Sequence, residues 1–134
     1  ENPFNVQHDL QEMMQNLVGI VRLEDEMQEA LVGLKKLNDR SAKASVTGNI
    51  DFNPGWHTAL DLRNLLTVSE AITLSAIERK ESRGGQFRED YPEKDPAFAK
   101  FNIAVKEVDG QMQVSHIPLP EMPAELKQVI EEMG

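Results

Sequence analysis

Apolar positions along this chain recur with the spacing of helices before they recur with the spacing of strands. Val6, Leu10, Met13, Met14, Leu17 and Val18 fall at i, i+4, i+7, i+8, i+11 and i+12, one face of a 3.6-residue period. That spacing predicts an amphipathic helix ending near Gly19. Leu23, Met27, Ala30, Leu31, Leu34 and Leu37 repeat the pattern, with Glu24, Asp25 and Glu26 at the start and Lys35, Lys36 and Arg40 near the end, the polarity that suits a helix dipole. A third segment opens with Asn53 as a cap and Pro54 as a first helical residue. It contains no further glycine or proline from Trp56 to Ser82, and Gly84–Gly85 supplies a stop. Its length is roughly 40 Å at about 1.5 Å per residue. Its apolar residues, Trp56, Leu60, Leu62, Leu65, Leu66, Val68, Ala71, Ile72, Leu74, Ala76 and Ile77, surround the axis, and only Arg63, Thr67 and Glu70 form a polar ridge. A helix apolar nearly all round is buried on most sides, so the rest of the chain is expected to pack around this one.

The pattern changes after Pro92. Phe101-Asn102-Ile103-Ala104-Val105 and Gln113-Val114-Ser115-His116-Ile117 flank Asp109-Gly110, a strong hairpin signal. Pro118, Pro120 and Pro123 make an extended connector, and Leu126, Val129, Ile130 and Met133 give a short terminal helix one apolar side. Ser41 to Phe52 reads as a loop. The predicted fold is mainly α: an antiparallel three-helix bundle over about 6–19, 22–44 and 54–82, with a small C-terminal β-hairpin and a short terminal helix. Residues 1–92 form the bundle, and residues 93–134 are expected to pack on the same domain.

Composition narrows the function classes. At 134 residues this is one domain with a modest core. The absence of cysteine excludes disulfides, thiolate metal sites and cysteine nucleophiles. A net charge of −9 argues against a free nucleic-acid binder. No run approaches a membrane span and no signal-peptide pattern is present. The chain opens on Glu1-Asn2-Pro3-Phe4 rather than methionine, so a piece of something larger is expected.

Recognisable chemistry is sparse. The sequence has no G-x-G-x-x-G, P-loop, H-E-x-x-H or G-x-S-x-G. His8, His57 and His116 lie on three elements, with nothing to gather them as ligands. His57 and Asp61, one turn apart, more often make a surface hydrogen bond than an acid–base pair. The acidic Glu24-Asp25-Glu26 cluster lacks the loop and turning glycine of a calcium site. What stands out is Glu81-Ser82-Arg83-Gly84-Gly85-Gln86-Phe87-Arg88-Glu89-Asp90-Tyr91-Pro92. It reads either as a solvated loop whose ion pairs are worth little, or as a docking segment in which glycines admit another backbone and arginines fork onto carboxylates or carbonyls. Chemistry alone favours the solvated loop.

That segment, preceded by a helix beginning N-P-G-W-H, resembles the C-terminal region of succinate dehydrogenase and fumarate reductase flavoprotein subunits, where the pattern is E-S-R-G-(small)-H-x-R-x-D-(aromatic)-P. Glu81, Ser82, Arg83, Gly84, Gly85, Arg88, Asp90, Tyr91 and Pro92 match, and Gln86 stands where histidine is usual; glutamine can replace one of its hydrogen bonds. Val18-Gly19-Ile20-Val21-Arg22 also looks like the family. L-Aspartate oxidase and adenylylsulfate reductase flavoproteins share parts of the motif. The resemblance covers nearly the whole chain, most securely residues 1 to 100.

The resemblance implies a parent that oxidises succinate to fumarate, passing electrons from FAD to an iron–sulfur subunit and on to quinone. In that family the flavin-binding fold and the catalytic residues lie upstream, so the resemblance assigns this segment no catalytic, cofactor-binding or metal-binding residue. It implies a helical buttress whose partners are the upstream flavin-binding domain and the iron–sulfur subunit, with no nucleic acid and no direct membrane insertion. The place implied is cytoplasmic, peripheral at the inner face of an energy-transducing membrane. A free-standing helical interaction module, or the equivalent domain of L-aspartate oxidase, stays open. Arg83, Gly84, Gly85, Gln86, Arg88, Asp90 and Tyr91 are the candidate residues for docking onto the flavoprotein body.

Overall fold

The computed structural model describes all 134 residues. Helix α1 spans Pro3–Leu17, α2 Glu24–Ser41 and α3 Pro54–Glu78. The N-termini of α1 and α3 are built alike: Asn2 accepts from the Phe4 amide and Asn53 from the Gly55 amide, each followed by proline at the first helical position. This is why α1 begins three residues before its first core residue, Val6. The run is antiparallel. Arg40 at the end of α2 pairs with Glu1 and Asp9 beside the start of α1, while Arg88 ties the start of α2 to the end of α3. One part of the core is Val6, Leu10, Leu34, Leu37, Leu62 and Leu66, and the other is Val18, Met27, Ala30 and Ala76. Gly55 is needed where it is, because a Cβ there would meet Val46 at 2.9 Å.

The predicted bundle, hairpin and terminal helix all form, with shifted ends. Arg22, expected in the second helix, lies with Val21 in a short strand, β1 (Val21–Arg22), that pairs in parallel with β2 (Phe87–Arg88). Helix α3 stops at Glu78, not Ser82, and Gly84–Gly85 does not end it. Those glycines form a turn bracketed by mutual backbone hydrogen bonds of Arg83 and Gln86, with Gly84 at φ +61°. After a 3-10 turn over Pro96–Lys100, β3 (Phe101–Val108) and β4 (Gln111–Pro118) pair in full antiparallel register around Asp109-Gly110, both at positive φ. The hairpin rests on the end of α3: the Phe101 ring stacks on His116 at 3.9 Å, and His116 meets Glu78 at 2.7 Å. The packing expected of residues 93–134 stops at this hairpin. From Ile117 near the end of β4 to Gly134 the residues are exposed, including Leu126, Val129, Ile130 and Met133 on α4 (Ala124–Met133).

The third helix is not wrapped on all sides either. Leu62, Leu66, Thr73 and Ala76 face α1 and α2 and are buried, but Leu60, Val68 and Ile72, on another side, are exposed. No helix is long and apolar enough to cross a membrane.

Candidate functional site

The polar run after α3 folds back over the end of α3 and the start of α2 and pairs with β1. Helix α3 has no basic residue in its last turn and α2 has no side-chain cap at its start, so both helix ends need partners from elsewhere. Arg88 and Asp90 supply them. The Arg88 guanidinium donates to the carbonyls of Ala76 (2.9 Å) and Ile77 (3.1 Å), placing a cation at the C-terminus of α3. It also donates to both Asp90 oxygens at 2.7 Å and to Glu24 at 3.3 Å, so all five of its N–H groups are occupied. Asp90 in turn accepts from the Glu24 amide, the first residue of α2. Arg88 is fully buried, with the Tyr91 ring 5.1 Å from its guanidinium carbon. The bidentate pairing of Arg88 with Asp90 raises the Arg88 pKa and lowers that of Asp90.

Glu81 anchors a second network. Its buried carboxylate accepts from Arg79 (2.6 Å), Arg83 (2.8 Å) and the Asp95 amide (2.9 Å). Arg83 first, with the Asp95 amide and Arg79, holds the Glu81 pKa down to about 2. Gln86 joins the two networks to β1: its amide donates to the carbonyls of Arg79 and Glu81 and accepts from Arg22 at 2.9 Å. The Ser82 hydroxyl accepts from the Arg88 amide and donates to the Tyr91 carbonyl. No buried side-chain polar atom is left without a partner. The solvated-loop reading is therefore wrong for Glu81 and Arg88, whose charges are buried and fully paired.

Of the seven docking candidates, the structure brings Arg83, Gln86, Arg88 and Asp90 together as internal braces. Gly84 and Gly85 sit at an exposed turn with nothing within 4 Å of where a Cβ would lie, and Tyr91 is partly exposed. Glu81, Ser82, Glu24 and Arg22 belong to the same site and were not among the docking candidates. The signal for them was present in the pattern E-S-R-G and in Val18–Arg22, but not the reason for it. His57 and Asp61 make no hydrogen bond to each other, and no group of acidic residues or histidines is placed to hold a metal.

The family model described as "Fumarate reductase flavoprotein C-term" matches residues 7–131. The chain belongs to that family. It is a C-terminal domain of the succinate dehydrogenase/fumarate reductase flavoprotein group. The succinate dehydrogenase flavoprotein subunit of Coxiella burnetii is 40% identical over 98 residues, 72% of this chain and 17% of that protein. An uncharacterized FAD-dependent oxidoreductase of Methanocaldococcus jannaschii is 34% identical over 105 residues, 78% of this chain and 19% of that protein. Among solved structures, Mycobacterium smegmatis Sdh1 in complex with UQ1 superposes with a TM-score of 0.84 at 40% identity, over 98% of this chain and 23% of that one. The FrdA chain of Escherichia coli quinol fumarate reductase gives a TM-score of 0.81 at 26% identity, over 92% of this chain and 22% of that one. The chain thus spans about a fifth of the length of the curated relatives it matches.

Those relatives imply FAD, and the residues of this flavoprotein C-terminal domain do not build a site for it. The one parallel strand pair is two residues long on each side, and no strand runs through a glycine-rich turn into a helix, the arrangement that cradles a dinucleotide pyrophosphate.

Proposed function

We propose that this chain is the non-catalytic C-terminal part of a flavoprotein that interconverts succinate and fumarate with FAD and passes electrons to an iron–sulfur subunit and a quinone. The observation that supports it best is the superposition of 98% of the chain on 23% of Mycobacterium smegmatis Sdh1 at 40% identity. The domain contributes rigidity: the 81–92 segment locks the ends of α1, α2 and α3 into one block that braces an upstream flavin-binding body. Within the segment, Arg88, Asp90 and Gln86 set the shape, while the open Gly84–Gly85 turn, Arg83 and the exposed part of Tyr91 meet that body. Attachment to a membrane on its cytoplasmic side comes through partner subunits.

The test is to purify the product of the complete reading frame containing these residues and assay it with succinate and an artificial electron acceptor. Bound flavin and succinate-dependent reduction are expected. A complete product lacking flavin would refute the reading. The 134-residue chain alone is expected neither to retain FAD nor to reduce the acceptor. Gly85→Trp, at an exposed position where an added Cβ meets nothing within 4 Å, is expected to leave the isolated chain folded and to impair flavin retention in the complete product.

A further inference from the structure

One arginine in the site has no anion. Arg79 and Arg83 share Glu81, and Arg88 has Asp90 and Glu24. Arg22, half-buried between them, meets only neutral acceptors: the carbonyls of Gly19 and Val18 and the amide oxygen of Gln86. Burial, and then the charge of Arg88 beside it across the β1–β2 pair, lower its pKa, so its charged form is held at a cost in this structure. In a chain of net charge −9 a free carboxylate was available in quantity. None is spent on Arg22.

Arg22 also lines a groove of about 780 Å³ that opens between α3 and β3. The same groove is lined by Val68, Ala71 and Ile72 on α3 and Ile103 on β3. Val68 and Ile72 are 56% and 44% exposed and, with Ala71, form the apolar part of α3 that α1 and α2 leave bare at this groove. An apolar strip of this kind on a folded domain marks an interaction surface. The cation beside it selects the charge of what lies there.

We infer that this side of α3 and its groove are covered by the flavin-binding body of the same polypeptide, through an apolar segment that presents one carboxylate to Arg22. The inference rests on the proposed function and adds the surface and the chemistry of the contact. Two observations favour this occupant over a second copy. The chain matches only about a fifth of its curated relatives, so about four-fifths of each of those polypeptides lies outside the matched part. And the carboxylate Arg22 lacks is not supplied from within the domain, although Glu24 and Asp90 lie on the neighbouring Arg88.

The complete flavoprotein is the material for the test, and its visible flavin absorbance reports separately on the functional reading. Val68→Cys and Ile72→Cys are labelled with a maleimide in the native protein and followed by peptide mass spectrometry, with Val32→Cys, 56% exposed on α2, as the reference. A thiol in a packed interface reacts only through local opening, so labelling about 100-fold slower than the reference is expected. In parallel, Arg22→Lys is treated with a carbodiimide, and the new amine is expected to couple to an acidic residue outside residues 1–134. Flavin-loaded protein whose Val68→Cys and Ile72→Cys react as fast as the reference overturns this inference and leaves the functional reading standing. Protection that vanishes on dilution assigns the face to a second copy and overturns it too. Coupling of Arg22→Lys only to Glu24 or Asp90 removes the carboxylate anchor. Protein without flavin overturns the functional reading and this inference with it.

Discussion

Replacing Arg88 by methionine keeps the length of the side chain and removes the cation that joins α3 to α2. The variant loses five hydrogen bonds, to Ala76, Ile77, Glu24 and both oxygens of Asp90. Removing one partner of a buried pair costs about 3–5 kcal/mol, mainly because the other charge is stranded. Here the stranded Asp90 side chain is 25% exposed and Glu24 37%, so water recovers part of that cost, and the lower end, about 3 kcal/mol, is the expected value. That corresponds to a fall in Tm of about 10 °C for a domain of this size. The assay is urea unfolding of the 134-residue chain, with an unchanged slope and a lower midpoint. Asp90→Asn on the Arg88→Met background removes the stranded anion, and the two changes together are expected to cost about 1–3 kcal/mol less than their sum. A loss below about 1 kcal/mol for Arg88→Met would refute the reasoning, since that is the value of a solvated surface pair.

Other outcomes follow from the same networks. The Glu81 carboxyl titrates at about 2 when folded against an ordinary 4.5; its contribution is therefore complete above the unfolded value and is lost as pH falls towards the folded one, and Glu81→Gln is expected to flatten that acid limb in urea midpoints measured against pH. Gln86→Leu strands the two carbonyls it serves and removes an acceptor from Arg22, at about 1–3 kcal/mol in the same unfolding assay, whereas Gln86→His, the residue usual in the motif, is expected to lose less. Gly84→Ala, at φ +61°, is expected to cost about 1–2 kcal/mol by thermal melting, and Gly85→Ala almost nothing.

Periodicity made the helices and the hairpin legible because their burial is a local property of the pattern. The start of α1 at Pro3 carried the same Asn-Pro signal as α3, and a reading anchored on the first apolar residue, Val6, passed over it. The end of α3 was not legible in the same way. Nothing in residues 79–82 forbids helix; the chain leaves because Glu81 is taken up by Arg79, Arg83 and the Asp95 amide. Charged residues are rarely buried unless paired, so a run rich in arginine and acid reads as solvated. The pairing that reverses this for Arg88 depends on Glu24, 64 residues away, and on carbonyls at a helix end whose position the sequence had misplaced.

Arg88 and Gln86, two of the residues that looked suited to docking, are held inside the domain, while Gly84, Gly85 and Tyr91 stay exposed, and this sharpens the division of roles within the motif. A guanidinium with five internal bonds has no donor left for a partner, so Arg88 acts on any interface only by fixing what surrounds it. What it fixes is substantial: α2 through Glu24, the end of α3 through Ala76 and Ile77, and β1 through the strand pair that seats Arg22 beside it. The bare apolar side of α3, the groove against β3 and the Gly84–Gly85 turn therefore hold one fixed relation to one another. A surface already rigid before contact loses less freedom on binding than one that must be ordered at the time. Buried charge in this motif is thus best understood as preorganisation. It contributes little that a well-packed apolar cluster would not contribute to stability, but an apolar cluster would not orient Arg22 towards an incoming carboxylate.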